Sequence, residues 1–298
     1  MKMDGLYTAL VTPVKDGKVD RKAMSKLIDY VIAGGSDGLL VLGGTGEYAS
    51  LSHEQRVDAI KICIEENKKR VPVMVGILST GLPEAITMGK LSKELGADSV
   101  MVITPFYVTP SQKGIKNYYL SFAESVDLPI VLYNIPFRTN SNLLPETVAE
   151  ILQGTDKIVG MKETSPSYLQ ATHLMSYFGD KITFFCGEEP LLYPQLLAGC
   201  KGAIMASSNL FPSFFKEMIS RVQSGNVEGA KEMHFQLIPF LKSAFAECNP
   251  GPLKAAMKYV GLDCGDALLP LLPPGPELSK ILYKDVDNLN SWIKKNGL

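Results

Sequence analysis

In the stretch DKIVGMKET, residues 156–164, a short apolar run ends on a lysine, Lys162. Burying an ammonium group penalises its charged form and lowers its pKa. The neutral amine that results attacks ketones and aldehydes and forms imines. A plainer reading has the side chain snorkelling to a rim or pairing with the adjacent Glu163. Other residues carry complementary chemistry. Gly43, Gly44, Thr45 and Gly46 put three glycines into four positions. Backbone N–H groups in such a loop can form a concave site for an anion, here a carboxylate. The same composition also makes a simple tight turn, and no Gly-Lys-Ser/Thr follows to make it a nucleotide-phosphate loop. Tyr133 ends a second apolar run and Tyr107 follows a third. A phenol within hydrogen-bonding reach of an imine or carbinolamine can move its protons, although each could equally be a packed aromatic. Arg138 lies five residues beyond Tyr133. Its guanidinium fork matches a carboxylate through two parallel bonds, or it makes a surface ion pair.

These residues need elements that bring them together. Eight short runs read as strands: LYTALVT, GLLVLG, VPVMVG, DSVMVIT, PIVLYN, KIVGMK, ITFFCG and GAIMAS. They are rich in β-branched and aromatic residues, and most are bounded by glycine or proline. Between them lie helical patterns such as DRKAMSKLIDYVIAGG and SHEQRVDAIKICIEENKK. The second begins with Ser52 as N-cap and Gln55 at the capping-box position. In LPEAITMGKLSKELGA, Pro83 marks a first turn and Gly96 a stop. Strands without polar alternation are buried on both faces, the mark of a parallel sheet. The expected fold is an α/β TIM (β/α)8 barrel. A doubly wound open sheet is the runner-up, but no GxGxxG follows the first strand.

The polar and glycine-rich segments GGTGEY, TPFYVTP, YNIPFRTN, GEEP and SSN all follow candidate strands. In a parallel barrel such positions meet on one rim, where active sites are built. After GAIMAS the pattern becomes consecutive helices. Residues 1–210 are therefore read as the barrel and 211–298 as a helical extension packed on it. LLPPGPELS reads as a break before a final short helix.

Composition excludes several classes. The 298 residues are 46% hydrophobic and 20% charged, with 30 basic and 31 acidic side chains and a net charge of −1. No basic stripe invites nucleic acid. No run approaches the ~20 apolar residues of a membrane span, and the N-terminal stretch lacks a signal-peptide core. A cytoplasmic protein is expected. The five cysteines show no CxxC spacing and the three histidines are scattered, so neither a metal site nor a disulfide framework is expected.

The segments GGTGEYASLSHEQR, TPFYVTPSQKG, YNIPFRTN, GMKETS, GEEPLL and NPGPLKAAM together resemble the dihydrodipicolinate synthase/N-acetylneuraminate lyase superfamily of Schiff-base pyruvate aldolases. YNIPFRTN and TPFYVTPSQKG are most similar to its dihydrodipicolinate synthase branch. The resemblance implies that Lys162 forms an imine with pyruvate and that Tyr133 is its general acid/base. It implies a hydroxyl relay through Thr45 and Tyr107, the latter reaching in from a neighbouring subunit. The backbone around Gly44 and Thr45 would hold the pyruvate carboxylate. Arg138 would meet the carboxylate of a second aldehyde substrate, aspartate semialdehyde, and Gly187 and the Ile204 carbonyl would line the pocket. It also implies a homotetramer with no metal or organic cofactor, the imine to Lys162 being the only covalent attachment.

Two departures stand out. The branch motif reads GTTGE, whereas Gly44 here supplies an N–H but no hydroxyl. That glycine is similar to sugar-acid dehydratases of the superfamily. A 2-keto-3-deoxy sugar-acid aldolase or dehydratase is therefore the first alternative, and a non-catalytic keto-acid binder the second. Of the positions that bind inhibitory lysine in related synthases, His53 and Glu84 match, whereas Tyr48, Arg56 and Thr80 differ. Weak or absent inhibition by lysine is expected.

Overall fold

The computed structural model describes residues 3–298. Eight parallel strands close into a barrel: β1 (Gly5–Ala9), β2 (Gly38–Val41), β3 (Val73–Ile77), β4 (Ser99–Ile103), β5 (Ile130–Asn134), β6 (Ile158–Glu163), β7 (Thr183–Cys186) and β8 (Gly202–Met205). Each of the eight expected runs overlaps one, with Gly5, Ile77 and Glu163 each lying one residue outside. Every strand pairs with its sequence neighbour, and β8 closes onto β1 in the register Gly5↔Gly202 to Thr8↔Met205.

Strand alternation divides the side chains into two cores. Tyr7, Leu40, Met101, Tyr133, Phe185 and Ile204 are among those filling the barrel interior. The intervening residues, such as Leu39, Val100, Leu132 and Met161, pack outward under the helices. Both faces are apolar, so an open sheet with a solvated face was never available to these strands.

The helices are α1 (Arg21–Ala33), α2 (His53–Asn67), α3 (Leu82–Leu95), α4 (Gln112–Ser125), α5 (Pro136–Thr139), α6 (Pro145–Gly154), α7 (Tyr168–Phe178), α8 (Leu192–Leu197), α9 (Pro212–Gln223), α10 (Val227–Ala244), α11 (Gly251–Tyr259) and α12 (Pro276–Lys295). Local signals set their ends. Ser52 and Gln55 complete a reciprocal capping box on α2. Pro83 stands in the first turn of α3, and Gly96 ends that helix at φ 96°, a conformation glycine adopts without strain.

Two elements differ from expectation. The stretch VKDGKV forms a small antiparallel hairpin, Val14–Lys15 with Lys18–Val19, turned by Asp16 (φ 51°) and Gly17 (φ 73°). Its strands are too short for an apolar pattern to reveal. The final helix is not short: α12 has 20 residues and is the longest in the chain. Leu282, Val286 and Leu289 form its buried stripe against α10 and α11.

Helix α9 packs on β1 and α8, completing the ring around the barrel. Helices α10–α12 form a layer beside that ring, with α10 against α9 and α12. A buried ion pair fastens this layer to the rim. Lys254 Nζ of α11 lies 2.6 Å from Glu47 Oε2 of the glycine-rich loop, each side chain 1% exposed. Lys254 also donates to the Thr12 carbonyl at 3.0 Å and the Asp266 carbonyl at 3.2 Å. Glu47 Oε1 accepts the Leu268 N–H at 2.5 Å. Breaking such a pair from one side strands a desolvated charge. Lys254→Met is expected to cost about 3–5 kcal/mol of stability, read as a fall in the urea midpoint. Glu47→Gln in the same chain should recover part of it.

Candidate active site

Lys162 and Tyr133 face each other across β5 and β6, paired residue to residue in the parallel register. Alternation turns both into the barrel. The Lys162 Nζ lies 4.6 Å from the centroid of the Tyr133 ring. The lysine is 7% exposed and the tyrosine 5%. Burial lowers the Lys162 amine to about 8; Glu189, Cys186 and Glu188 oppose that shift, and Arg138 adds to it. Burial likewise raises the Tyr133 phenol, with Arg138 opposing, Glu188 and Glu189 adding, and Thr164 opposing.

The ion-pair reading of Lys162 fails on the same alternation. Glu163 points outward, where its carboxylate accepts from Asn134 Nδ2 at 3.1 Å, the Ser165 N–H at 2.6 Å and Gln170 Nε2 at 3.2 Å. Lys162 makes no ion pair among the described residues.

A cavity of about 670 Å³ opens above the pair. Thr45, Arg138, Gly187, Ile204 and Gly44 line it together with Lys162 and Tyr133. Gly187 is required by space: a methyl group there would lie 2.6 Å from Lys162 Cε and 2.2 Å from Thr164 Oγ1.

The glycine-rich loop is tighter than its composition implied. The Gly46 N–H donates to the Gly43 carbonyl at 3.0 Å and the Glu47 N–H to the Gly44 carbonyl at 3.1 Å. Among the described residues nothing engages the N–H groups of Gly43, Gly44 and Thr45; of these only Gly44 and Thr45 line the cavity, so the nest offers it two donors. A side chain added at Gly44 would meet nothing within 4 Å, so packing does not demand this glycine.

Arg138, on α5, carries its exposed guanidinium into the cavity wall. The guanidinium forms no ion pair among the described residues, and its one hydrogen bond there runs to Cys248 Sγ at 3.6 Å. Tyr107 does not join this cavity. It sits on the loop after β4 at φ 74° and is 92% exposed.

Several lining residues were not singled out from the sequence. Glu188 and Glu189 stand beside the amine. Burial and the neighbouring Glu189 raise Glu188 to about 7, against Lys162 and Arg138. Glu189 is buried and accepts from the N–H groups of Ala206 at 2.9 Å and Ser207 at 3.1 Å. From the helical layer come Ile238, Leu241, Phe245 and Asn249, so this layer forms a wall of the site. Of these, only the segment around Asn249 carried a sequence signal, within NPGPLKAAM, and that motif names no chemistry.

Near α2, Arg56 sits over the Tyr48 ring at 4.1 Å and 3.7 Å from Glu84 Oε1, with His53 at 3.9 Å from the same oxygen. No cluster of metal-ligating side chains occurs among the described residues, and all five cysteines are free, Cys248 being the exposed one. No helix among them is long and apolar enough to cross a membrane.

The arrangement can form an imine. It combines a desolvated amine, an adjacent phenol, two unpaired N–H donors and a free guanidinium around one cavity. Comparisons with known proteins agree. The model of the Dihydrodipicolinate synthetase family matches residues 2–288. The 4-hydroxy-tetrahydrodipicolinate synthase of Geobacter metallireducens is 36% identical, over 91% of this chain and 93% of its own. That of Maridesulfovibrio salexigens is 37% identical over 100% of both chains. The solved structure of 4-hydroxy-tetrahydrodipicolinate synthase from Methylacidiphilum fumariolicum SolV superposes with a TM-score of 0.96 at 31% identity, covering 99% of this chain and 98% of that one. With a family match over nearly its whole length, the chain belongs to the Dihydrodipicolinate synthetase family.

Proposed function

We propose that the protein condenses pyruvate with L-aspartate semialdehyde to give 4-hydroxy-tetrahydrodipicolinate, as a lyase of lysine biosynthesis acting in the cytoplasm. The observation that carries this is the desolvated Lys162 amine facing Tyr133 inside the cavity. The amine adds to the pyruvate ketone, giving a carbinolamine. Loss of water leaves an iminium ion covalently attached to Lys162, and no external cofactor is called on. The N–H groups of Gly44 and Thr45 hold the pyruvate carboxylate. Tyr133 takes and returns the protons of these steps, with Thr45 beside it. Loss of a methyl proton turns the iminium ion into an enamine, which attacks the aldehyde carbon. The amino group of the second substrate then adds to the imine carbon and releases Lys162. Gly187 leaves room for this exchange, and Ile204 lines the pocket with it.

Arg138 is the residue that separates this reading from a keto-deoxy sugar-acid reaction. It is a guanidinium on the cavity wall that forms no ion pair among the described residues. Gly44 remains the feature that a sugar-acid aldolase or dehydratase would share, and that activity is not favoured. We further read the assembly as a homotetramer in which Tyr107, exposed in the single chain, completes a neighbour's relay. Arg56 already occupies Glu84, so lysine is a weak inhibitor at most.

The deciding assay offers pyruvate with aspartate semialdehyde, and separately a panel of 2-keto-3-deoxy sugar acids. Borohydride with pyruvate alone should add covalent mass at Lys162. Turnover of the sugar acids in preference, or no added mass, would overturn the reading. The amine also sets a pH dependence. Its reactive form is the deprotonated one, so the trapping rate should climb about tenfold per pH unit below the amine's pKa. It should level off above about 8. A rate independent of pH from 6 to 9 would contradict a desolvated amine as the nucleophile.

A further inference from the structure

We infer that Asn249 is a positioning residue for this reaction, fixing the direction in which the Thr45 hydroxyl gives up its proton. The inference rests on the proposed chemistry. Asn249 Nδ2 lies 2.9 Å from Thr45 Oγ1, across 204 residues of sequence. An amide nitrogen has only protons to offer. Thr45 Oγ1 therefore accepts from Asn249, and its own proton must go elsewhere. Among the described residues that hydroxyl has no other partner, and Thr45 lines the cavity. The hydroxyl is left free on the side of the cavity, which Tyr133 and Lys162 also line.

The contact is built rather than incidental. The loop on either side of Thr45 is held as well. Thr12 Oγ1 donates to the Gly46 carbonyl at 2.7 Å, and Lys254, five residues beyond Asn249, pairs with Glu47. Asn249 Oδ1 is buried without a hydrogen-bond partner, so the amide is satisfied only through the end that meets Thr45. Gly44 raises the stakes, because it leaves Thr45 as the only hydroxyl within Gly43–Glu47. A relay that depends on one hydroxyl depends on which way it points.

The test is a double-mutant cycle on the full-length enzyme, using Thr45→Val, Asn249→Ala, the pair, and Asn249→Asp. Asn249→Ala should lower kcat by about 10–100-fold with the pyruvate KM within about threefold. In the Thr45→Val background the same change should lose less than about twofold further, since its target is gone. Asn249→Asp presents only acceptor oxygens to Thr45 when ionised, draws the hydroxyl proton to itself, and should fall to the level of Thr45→Val. Should Asn249→Ala fail to fold, the near-isosteric Asn249→Asp against Thr45→Val carries the comparison. Full kcat in Asn249→Asp, or losses that multiply in the double variant, would overturn the inference. Wild-type enzyme that gains no borohydride-trapped pyruvate on Lys162 would overturn the proposed chemistry instead. Trapping with multiplying losses removes only the role of Asn249.

Discussion

Lys162→Ala should lose turnover by at least about 10⁴-fold, as enzymes do when a covalent nucleophile is removed. Among the described residues no second amine is placed to substitute. Lys242, the other lysine on the cavity wall, is exposed and keeps its hydration. Borohydride treatment with pyruvate should then leave the chain unmodified. Activity within tenfold of wild type would mean the imine forms elsewhere or not at all. The same substitution carries a signature in stability. The Lys162 amine falls from 10.5 to about 8 on folding. Between those values the unfolded chain binds more protons, so wild-type stability rises with pH across that window, and the full penalty applies below it. Lys162→Ala abolishes this dependence. Urea midpoints of the two proteins, followed from pH 7 to 10, should show wild type gaining on the variant.

Tyr133→Phe should lower kcat by about 10²–10⁴-fold, the range for removing a general acid/base. The substitution is clean because the ring is the structural part of this side chain. Tyr133 belongs to the apolar barrel interior, and phenylalanine fills the same space there without the hydroxyl. Folding should therefore be unaffected, while both imine formation and enamine formation slow. Pyruvate should still be trapped on Lys162, at a lower rate. If kcat stays within threefold of wild type, protons move by another route and Tyr133 is only packing.

Most of the fold could be read from the chain because strands buried on both faces leave unbroken apolar runs. Lys162 and Tyr133 were legible for the same reason, as polar groups interrupting or ending those runs. The extent of α12 was harder to read, since its stripe begins only after a proline-rich break. The hairpin at Val14–Val19 was hidden because two-residue strands carry no period. Within the site, composition overcounted the nest: which N–H groups remain free depends on turn hydrogen bonds that only the folded loop reveals. Asn249 and Glu188 were not legible individually as site residues, because GEEP and NPGPLKAAM mark their segments but assign no chemistry to either side chain. Asn249 acquires its meaning only by arriving beside Thr45 from 204 residues away.

The Lys254–Glu47 lock has a consequence for synthesis. All eight strands precede residue 249 in the chain, so they are made while Glu47 has no counter-ion and Thr45 no amide to meet. The contacts that fix the glycine-rich loop are therefore among the later ones the polypeptide can make. Products of premature termination after β8 would lack α9 over β1 and the wall that the helical layer gives the site.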